Sequence, residues 1–166
     1  MTICHITSMH EYTDDRIFER ACKGLVSLGY KVKLIVAYDG NTVIDNVEII
    51  GLKKRDGLRR RFFSSWEAYK KSKKTKADIF HFHDPDLIPW MVLLALSGKK
   101  VVYDVHENYE SRIFKLPLPK VVNGFLAKCY RWIENSLSSC YSGVTVVTNS
   151  MMNLFKNFKK PIIVTN

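Results

Sequence analysis

All five histidines of this 166-residue chain lie in or just beyond three short apolar runs. "TICHIT" is followed by a polar loop holding Ser8, His10, Asp14, Asp15 and Arg16; "ADIFHFH" ends on His83 and Asp84; "KKVVYDVH" ends on His106 and Glu107. Imidazole changes charge near neutral pH, and a carboxylate beside it tunes that change, so a rim of this composition suits ligand binding and proton transfer. His106 stands at the exit of its run and is read as functional rather than as a core residue.

Two of these motifs carry competing readings. In "HFHDPD" His81 and His83 are two apart, which puts both on one face of a strand, and Asp84 or Asp86 could complete a metal site. No standard zinc spacing is met, so His81 packed under a helix and His83 ending the strand is the preferred reading, with no metal expected. Asp104, inside an apolar run, is expected to be structural, accepting hydrogen bonds from loop backbone or a neighbouring residue. Asp14 is either a plain helix cap or a ligand.

The elements that must position these residues alternate. Thr2 to Thr7 reads as a strand, followed by a helix with Ile17, Phe18, Ala21, Cys22, Leu25 and Leu28 on one face, capped by Asp14 or Asp15 and ended by Gly29. Strands are expected at 31–38, 47–52, 77–83, 99–106 and 143–148, with a Gly-Asn turn after the second and a last strand in "PIIVTN". An apolar helix follows Pro85, and a short helix is expected over 149–158. Pro119 opens a long helix in which Val122, Phe125, Leu126, Cys129, Trp132, Ile133 and Leu137 form an apolar stripe. Alternation of this kind predicts a Rossmann-like α/β domain, a mainly parallel sheet with helices on both faces. In the strand order 3-2-1-4-5-6 the three histidine-bearing strands are neighbours, and ligands bind beyond their carboxyl ends.

Composition bounds the rest. A chain of this length forms one domain, residues 1–166, with 46% hydrophobic and 25% charged residues, as in ordinary globular proteins. Cys4, Cys22, Cys129 and Cys140 are scattered and read as free thiols. The N-terminus lacks the pattern of a secretion signal. Of the net charge of +10, most comes from "KKRDGLRRRFFSSWEAYKKSKKTK", where eleven basic residues face only Asp56 and Glu67. Arg59, Arg60 and Arg61 beside Phe62, Phe63 and Trp66 give the pattern of a helix in a membrane interface; the rival reading packs some of these aromatics on the sheet. No nucleic-acid motif accompanies the charge, so no nucleic-acid partner is expected.

"HITSMHEYTDDRIFERACKGLVSLGYKVKLIV", "ADIFHFHDPDLIP", "KVVYDVHENY" and "VTVVTNSM" together resemble the N-terminal domain of family 4 retaining glycosyltransferases of the GT-B fold, over nearly the whole chain. The likeness is nearest to a bacterial branch that builds cell-envelope polysaccharides, in which a "TSxHxxxDxRIFxRAC" pattern replaces the usual glycine pair. It implies that His106 approaches the donor sugar and that Ser8, His10, Asp14, Arg16, His83, Asp84 and Glu107 serve sugar or acceptor. It also implies a second domain that holds most of the nucleotide-sugar, inactivity of this half alone, no metal or other cofactor, and a glycan or polyprenyl-linked acceptor. The protein would then sit in the cytoplasm, peripheral on the inner face of the membrane. The alternative is a non-catalytic Rossmann-like module that recruits a partner to an anionic membrane surface.

Overall fold

The computed structural model describes residues 1–55, 57, 60–155, 158 and 162–164, with the side chains of Arg60 and Arg61 outside that description. Strands β1 (Thr2–Glu11), β2 (Lys31–Ala37), β3 (Asn41–Ile44), β4 (Val47–Leu52), β5 (Ile79–Phe82), β6 (Lys100–Val105), β7 (Gly143–Val146) and β8 (Ile162–Ile163) form one sheet. Their order is β3-β4-β2-β1-β5-β6-β7-β8, and only the β3–β4 pair is antiparallel. Helical segments connect them: π1 (Asp15–Cys22) running into α1 (Lys23–Ser27), and π2 (Arg60–Ser64) running into α2 (Ser65–Lys74). A 3-10 turn (Pro85–Leu87) leads into α3 (Ile88–Leu96), and α4 (Tyr109–Ile113), α5 (Lys120–Ser138) and α6 (Asn149–Met152) follow.

Because side chains alternate along a strand, each strand feeds two different layers. On one face Cys4, Ile6, Phe80, Phe82, Tyr103, Val105 and Val144 pack beneath α2 and α3, which contribute Ala68, Met91 and Leu94. The Phe82 and Tyr103 rings stack at 4.4 Å. Each such side chain adds about 1.5–3 kcal/mol on burial. On the other face Ile17, Phe18 and Cys22 of π1 cover Val32, Leu34, Val36, Val47 and Ile49. Right-handed crossovers that step in opposite directions from β1 place their helices on opposite faces. The second face therefore has π1 over β2 and β4, while His5, His81, Asp104 and Thr145, which alternate with first-face core residues, project from its other half.

The expected adjacency of the three histidine-bearing strands is present as β1, β5 and β6. Asp14 caps π1 by accepting from Ile17 N at 2.9 Å, and Gly29 ends α1 at φ +83. Four features differ from the sequence reading. β1 runs to Glu11 rather than Thr7, with a register shift against β2 after Ile6, so Ser8 and His10 belong to its irregular tail. The extra edge strand β3 folds back on β4 through Asp45 and Asn46, at φ 48 and 63. Both central residues with positive φ mark a tight primed hairpin turn, and "VIDNVEI" carries its Asp-Asn signature. Toward the C-terminus the last helix and strand are short, Asn149–Met152 and Ile162–Ile163, while Pro161, Thr165 and Asn166 lie outside the described residues.

The fourth difference is the side that α5 turns inward. Its apolar stripe faces outward: Val122, Phe125, Leu126, Trp132 and Ile133 are exposed, Trp132 at 71%. Asn123, Ala127, Glu134 and Ser138 are buried instead. Polar satisfaction explains the choice. Glu134 accepts from the hydroxyls of Tyr103 (2.9 Å) and Tyr130 (2.7 Å) and from Arg131 (3.0 Å), and Asn123 donates to the carbonyls of Leu116 and Leu118. Burial raises the Glu134 carboxyl pKa against these donors. Trp132→Ser is accordingly expected to change stability by less than about 0.5 kcal/mol in urea denaturation, since the ring has little to lose. Among the described residues, no helix is long and apolar enough to cross a membrane.

Candidate functional site at the carboxyl edge of the sheet

The tail of β1 is built on one buried carboxylate. Asp84 Oδ2 accepts from Thr7 Oγ1 (2.6 Å), Ser8 N (2.7 Å) and Met9 N (3.2 Å), and Thr7 Oγ1 in turn accepts from His10 N at 3.1 Å. Burial raises the Asp84 pKa, but the His10 and Thr7 hydrogen bonds outweigh it and hold the carboxyl below its ordinary value. The Ser8 hydroxyl is buried and donates to Asp86 at 2.7 Å, so it ties the β1 tail to the β5 exit.

His10 is held between two carboxylates. Its Nδ1 lies 2.9 Å from Asp14 Oδ2 and its Nε2 lies 3.4 Å from Asp84 Oδ1. Hydrogen bonding to Asp84 raises the pKa of this imidazole, with Asp14 adding to the effect and partial burial opposing it. Asp14 thus caps π1, as one of its two readings expects, and also faces His10. The His10 ring meets His106 edge-on at 5.3 Å between centroids.

Asp104 is the second hub. Arg16 Nε and Nη2 donate to its two oxygens at 3.2 and 3.0 Å, Thr145 Oγ1 donates at 2.7 Å, and His83 Nδ1 donates at 3.1 Å. Burial pushes its pKa up, yet the imidazoles of His106 and His83 beside it drive the carboxyl far below the usual range. His106 Nδ1 stands 3.8 Å from Asp104 Oδ2, too long for a hydrogen bond. Glu107 pairs with Arg112 at 2.6 Å.

Three strand ends therefore converge on His10 and His106, with Asp84 and Asp104 fixed behind them. A cavity of about 680 Å³ opens beside them, lined by Met9, Asp86, Tyr109, Arg112, Lys115 and Tyr130 among others. Tyr109, Arg112 and Lys115 were not singled out in the sequence; "ENYESRIFK", directly beyond the β6 exit, carried the signal, two cations spaced along an aromatic segment. A smaller cavity of about 210 Å³ lies beneath Arg16 and is lined by His81, His83, Asp104 and Thr145. Of the expected membrane contacts, Phe62, Phe63 and Trp66 are exposed, Phe62 most at 60%, although Phe62 and Trp66 also touch the Trp90 ring. Arg59 lies outside the described residues, as do the side chains of Arg60 and Arg61.

Comparison with known proteins places the fold. A sucrose-phosphate synthase from Thermosynechococcus elongatus superposes with a TM-score of 0.70 over 99% of this chain at 10% identity. A second structure of sucrose-phosphate synthase from that organism gives a TM-score of 0.65 over 100% of the chain at 12% identity. The chain spans 47% of the first of these and 87% of the second, so the likeness shows the α/β fold, one half of a GT-B architecture. A search of curated proteins returns no significant match. The family model described as Glycosyltransferase Family 4 matches residues 16–165, nearly the whole sequence, and the chain belongs to that family.

Proposed function

We propose that residues 1–166 form the acceptor-side wall of a retaining glycosyltransferase that moves a sugar from a nucleotide-sugar to a polysaccharide or lipid-linked glycan acceptor. The observation that carries this reading is the contact of His10 with His106 at the carboxyl edge of the sheet, where Met9 and Asp86 of the same strand ends line a 680 Å³ cavity. In the transfer an acceptor hydroxyl passes its proton to the departing diphosphate oxygen as its own oxygen bonds the anomeric carbon, and the nucleoside diphosphate leaves with the electrons of the broken bond. His106, polarised by Asp104, hydrogen-bonds a hydroxyl of the donor sugar and fixes it for attack. His10 and Glu107 flank it, His83 holds Asp104 in place, and Ser8, Asp14, Arg16 and Asp84 hold the rim in shape and offer their remaining polar atoms to sugar or acceptor. Arg112 and Lys115 give the cavity the charge to meet an acceptor diphosphate. The nucleotide is held mainly by a separate donor domain, without which this half is inactive, and no metal or further cofactor takes part in the transfer.

The same reading puts the protein in the cytoplasm, against the inner face of the membrane. Exposed Phe62, Phe63 and Trp66 amid basic residues, and the outward stripe of α5 with Lys120 and Lys128, are surfaces suited to an anionic bilayer. The test is transfer by the enzyme that includes its donor domain, assayed with nucleotide-sugars and lipid-linked acceptors. His106→Ala is expected to lower the rate by about 100-fold or more, the scale of a misplaced reactant. An unchanged rate would remove His106 from the site. If the parent enzyme transfers nothing yet the chain binds anionic vesicles, the non-catalytic recruiting module takes its place.

A further inference from the structure

His5, His81 and His83 form a cluster of which the proposed transfer uses only the His83 bond to Asp104. His5 on β1 is the register partner of His81 on the neighbouring parallel strand β5, and His83 follows two residues on, so all three share one face of the sheet. Their ring centroids are 4.8, 4.9 and 5.3 Å apart. His5 and His83 are buried to within 2% of full burial, while His81 is partly open to the 210 Å³ cavity that His83 also lines. His5 Nε2 and His81 Nε2 are shielded from solvent and have no hydrogen-bond partner among the described residues. The buried, unpartnered His81 Nε2 requires a physical reason, and an ion shared with His5 and His83 is one of the few that supplies it.

The geometry fits an ion. His5 Nδ1 and His83 Nε2 already lie 3.0 Å apart. Two imidazole nitrogens bound to one tetrahedral cation at about 2.0–2.1 Å would stand about 3.3 Å apart. One ligand nitrogen from each of the three rings lies within 4.8 Å of the others, a gap that ring rotation at His81 can close. His83 also has the support expected of a ligand, because its far nitrogen, Nδ1, donates to the buried carboxylate of Asp104 at 3.1 Å. The third ligand is thus His5, brought from β1 by strand pairing, and neither Asp84 nor Asp86 is needed. His83, Asp104 and His106 make a second possible group, but Asp104 is already occupied by Arg16 and Thr145.

We propose that His5, His81 and His83 bind a divalent cation of the zinc class, with its fourth position open to the cavity. Three neutral imidazoles suit zinc, cobalt, nickel and copper and discriminate against magnesium and calcium, which take oxygen ligands. The ion bridges β1 and β5 directly behind the rim and does not touch His106, so its part is to brace the two strands rather than to act on the sugar.

The test uses the 166-residue chain without a histidine tag, stripped with a chelator and titrated with zinc by calorimetry and with cobalt by visible absorption. One equivalent per chain is expected, with the intense cobalt bands of four-coordination and a higher midpoint of thermal unfolding. Magnesium at the same concentration should leave that midpoint unmoved. His81→Ala, at the partly open ligand, is expected to weaken zinc binding by about 100-fold or more, since losing even a supporting partner costs about 10–100-fold. Its far-ultraviolet spectrum should match that of the parent. His106→Ala should bind as the parent does. Absence of a stoichiometric site, retention of binding in His81→Ala, or loss of binding in His106→Ala would each overturn the proposal.

Discussion

Asp104→Ala is expected to cost about 3–5 kcal/mol, the scale on which removing one partner of a buried ion pair destabilises a domain. Folded domains are stable by only about 5–15 kcal/mol, so this substitution should bring the chain close to unfolding at room temperature. The reason lies in what it leaves behind. The Arg16 guanidinium, with 19% of its side chain exposed, loses the carboxylate that accepts from its Nη2 and Nε at 3.0 and 3.2 Å. Thr145 and the fully enclosed His83 each lose an acceptor at the same time. Those two groups alone would account for about 1–3 kcal/mol each if nothing replaced the bond. Arg16→Met in the Asp104→Ala background should recover part of the loss, because the methionine chain fills the same space without a charge. Urea denaturation followed by circular dichroism gives both values. A loss below about 1 kcal/mol for Asp104→Ala, or no recovery in the double variant, would show that water reaches and solvates Arg16.

That dependence on a distant partner explains what could and could not be read in the sequence. Strand alternation and the rule that ligands gather at carboxyl ends are local or topological, and they were enough to bring His10, His83 and His106 to one edge. The Asp14 cap and the Gly29 stop depend on residues within a turn and were equally legible. Asp104 was recognisable as a buried carboxylate in need of donors, but Arg16 lies 88 residues away and no pattern links the two. The same holds for His5, whose partner His81 is set by strand register rather than by spacing along the chain. α5 shows the opposite failure. Its apolar periodicity is real, but periodicity says only that one side differs from the other; Glu134 and Asn123 decide which side turns inward, because leaving them unbonded would be dearer than exposing Trp132 and Phe125.

The buried imidazoles also predict how stability follows pH. Burial, reinforced by His81 and His83 nearby, holds the His5 pKa well below its ordinary 6.5, and burial with His83 pushes His81 down to about 3. In the unfolded chain both would take up protons as pH falls through 6.5, while in the folded chain they do not. The unfolded state therefore binds more protons in this window, and stability must fall with pH, by up to about 1.4 kcal/mol per pH unit for each histidine. At pH 5 His5 accounts for about 2 kcal/mol, and His81, also neutral there in the folded chain, for about as much. His10 acts in the other direction: its raised pKa gives a contribution that is complete below 6.5 and fades as pH rises through the folded value. The depressed carboxyls of Asp84 and Asp104 contribute above about 4 and are lost only in stronger acid. Together these place the maximum near pH 6.5–7, a steady decline toward pH 5 and a steeper one below 4. Urea midpoints measured in chelator at pH 7.5, 6.5, 5.0 and 3.5 test the profile, and His5→Gln should flatten the stretch from 6.5 to 5.0 even if it lowers every midpoint. A parent profile that is level or rising across that stretch would mean that the folded chain protonates these rings, and hence that the half of the sheet face carrying them is wet rather than enclosed.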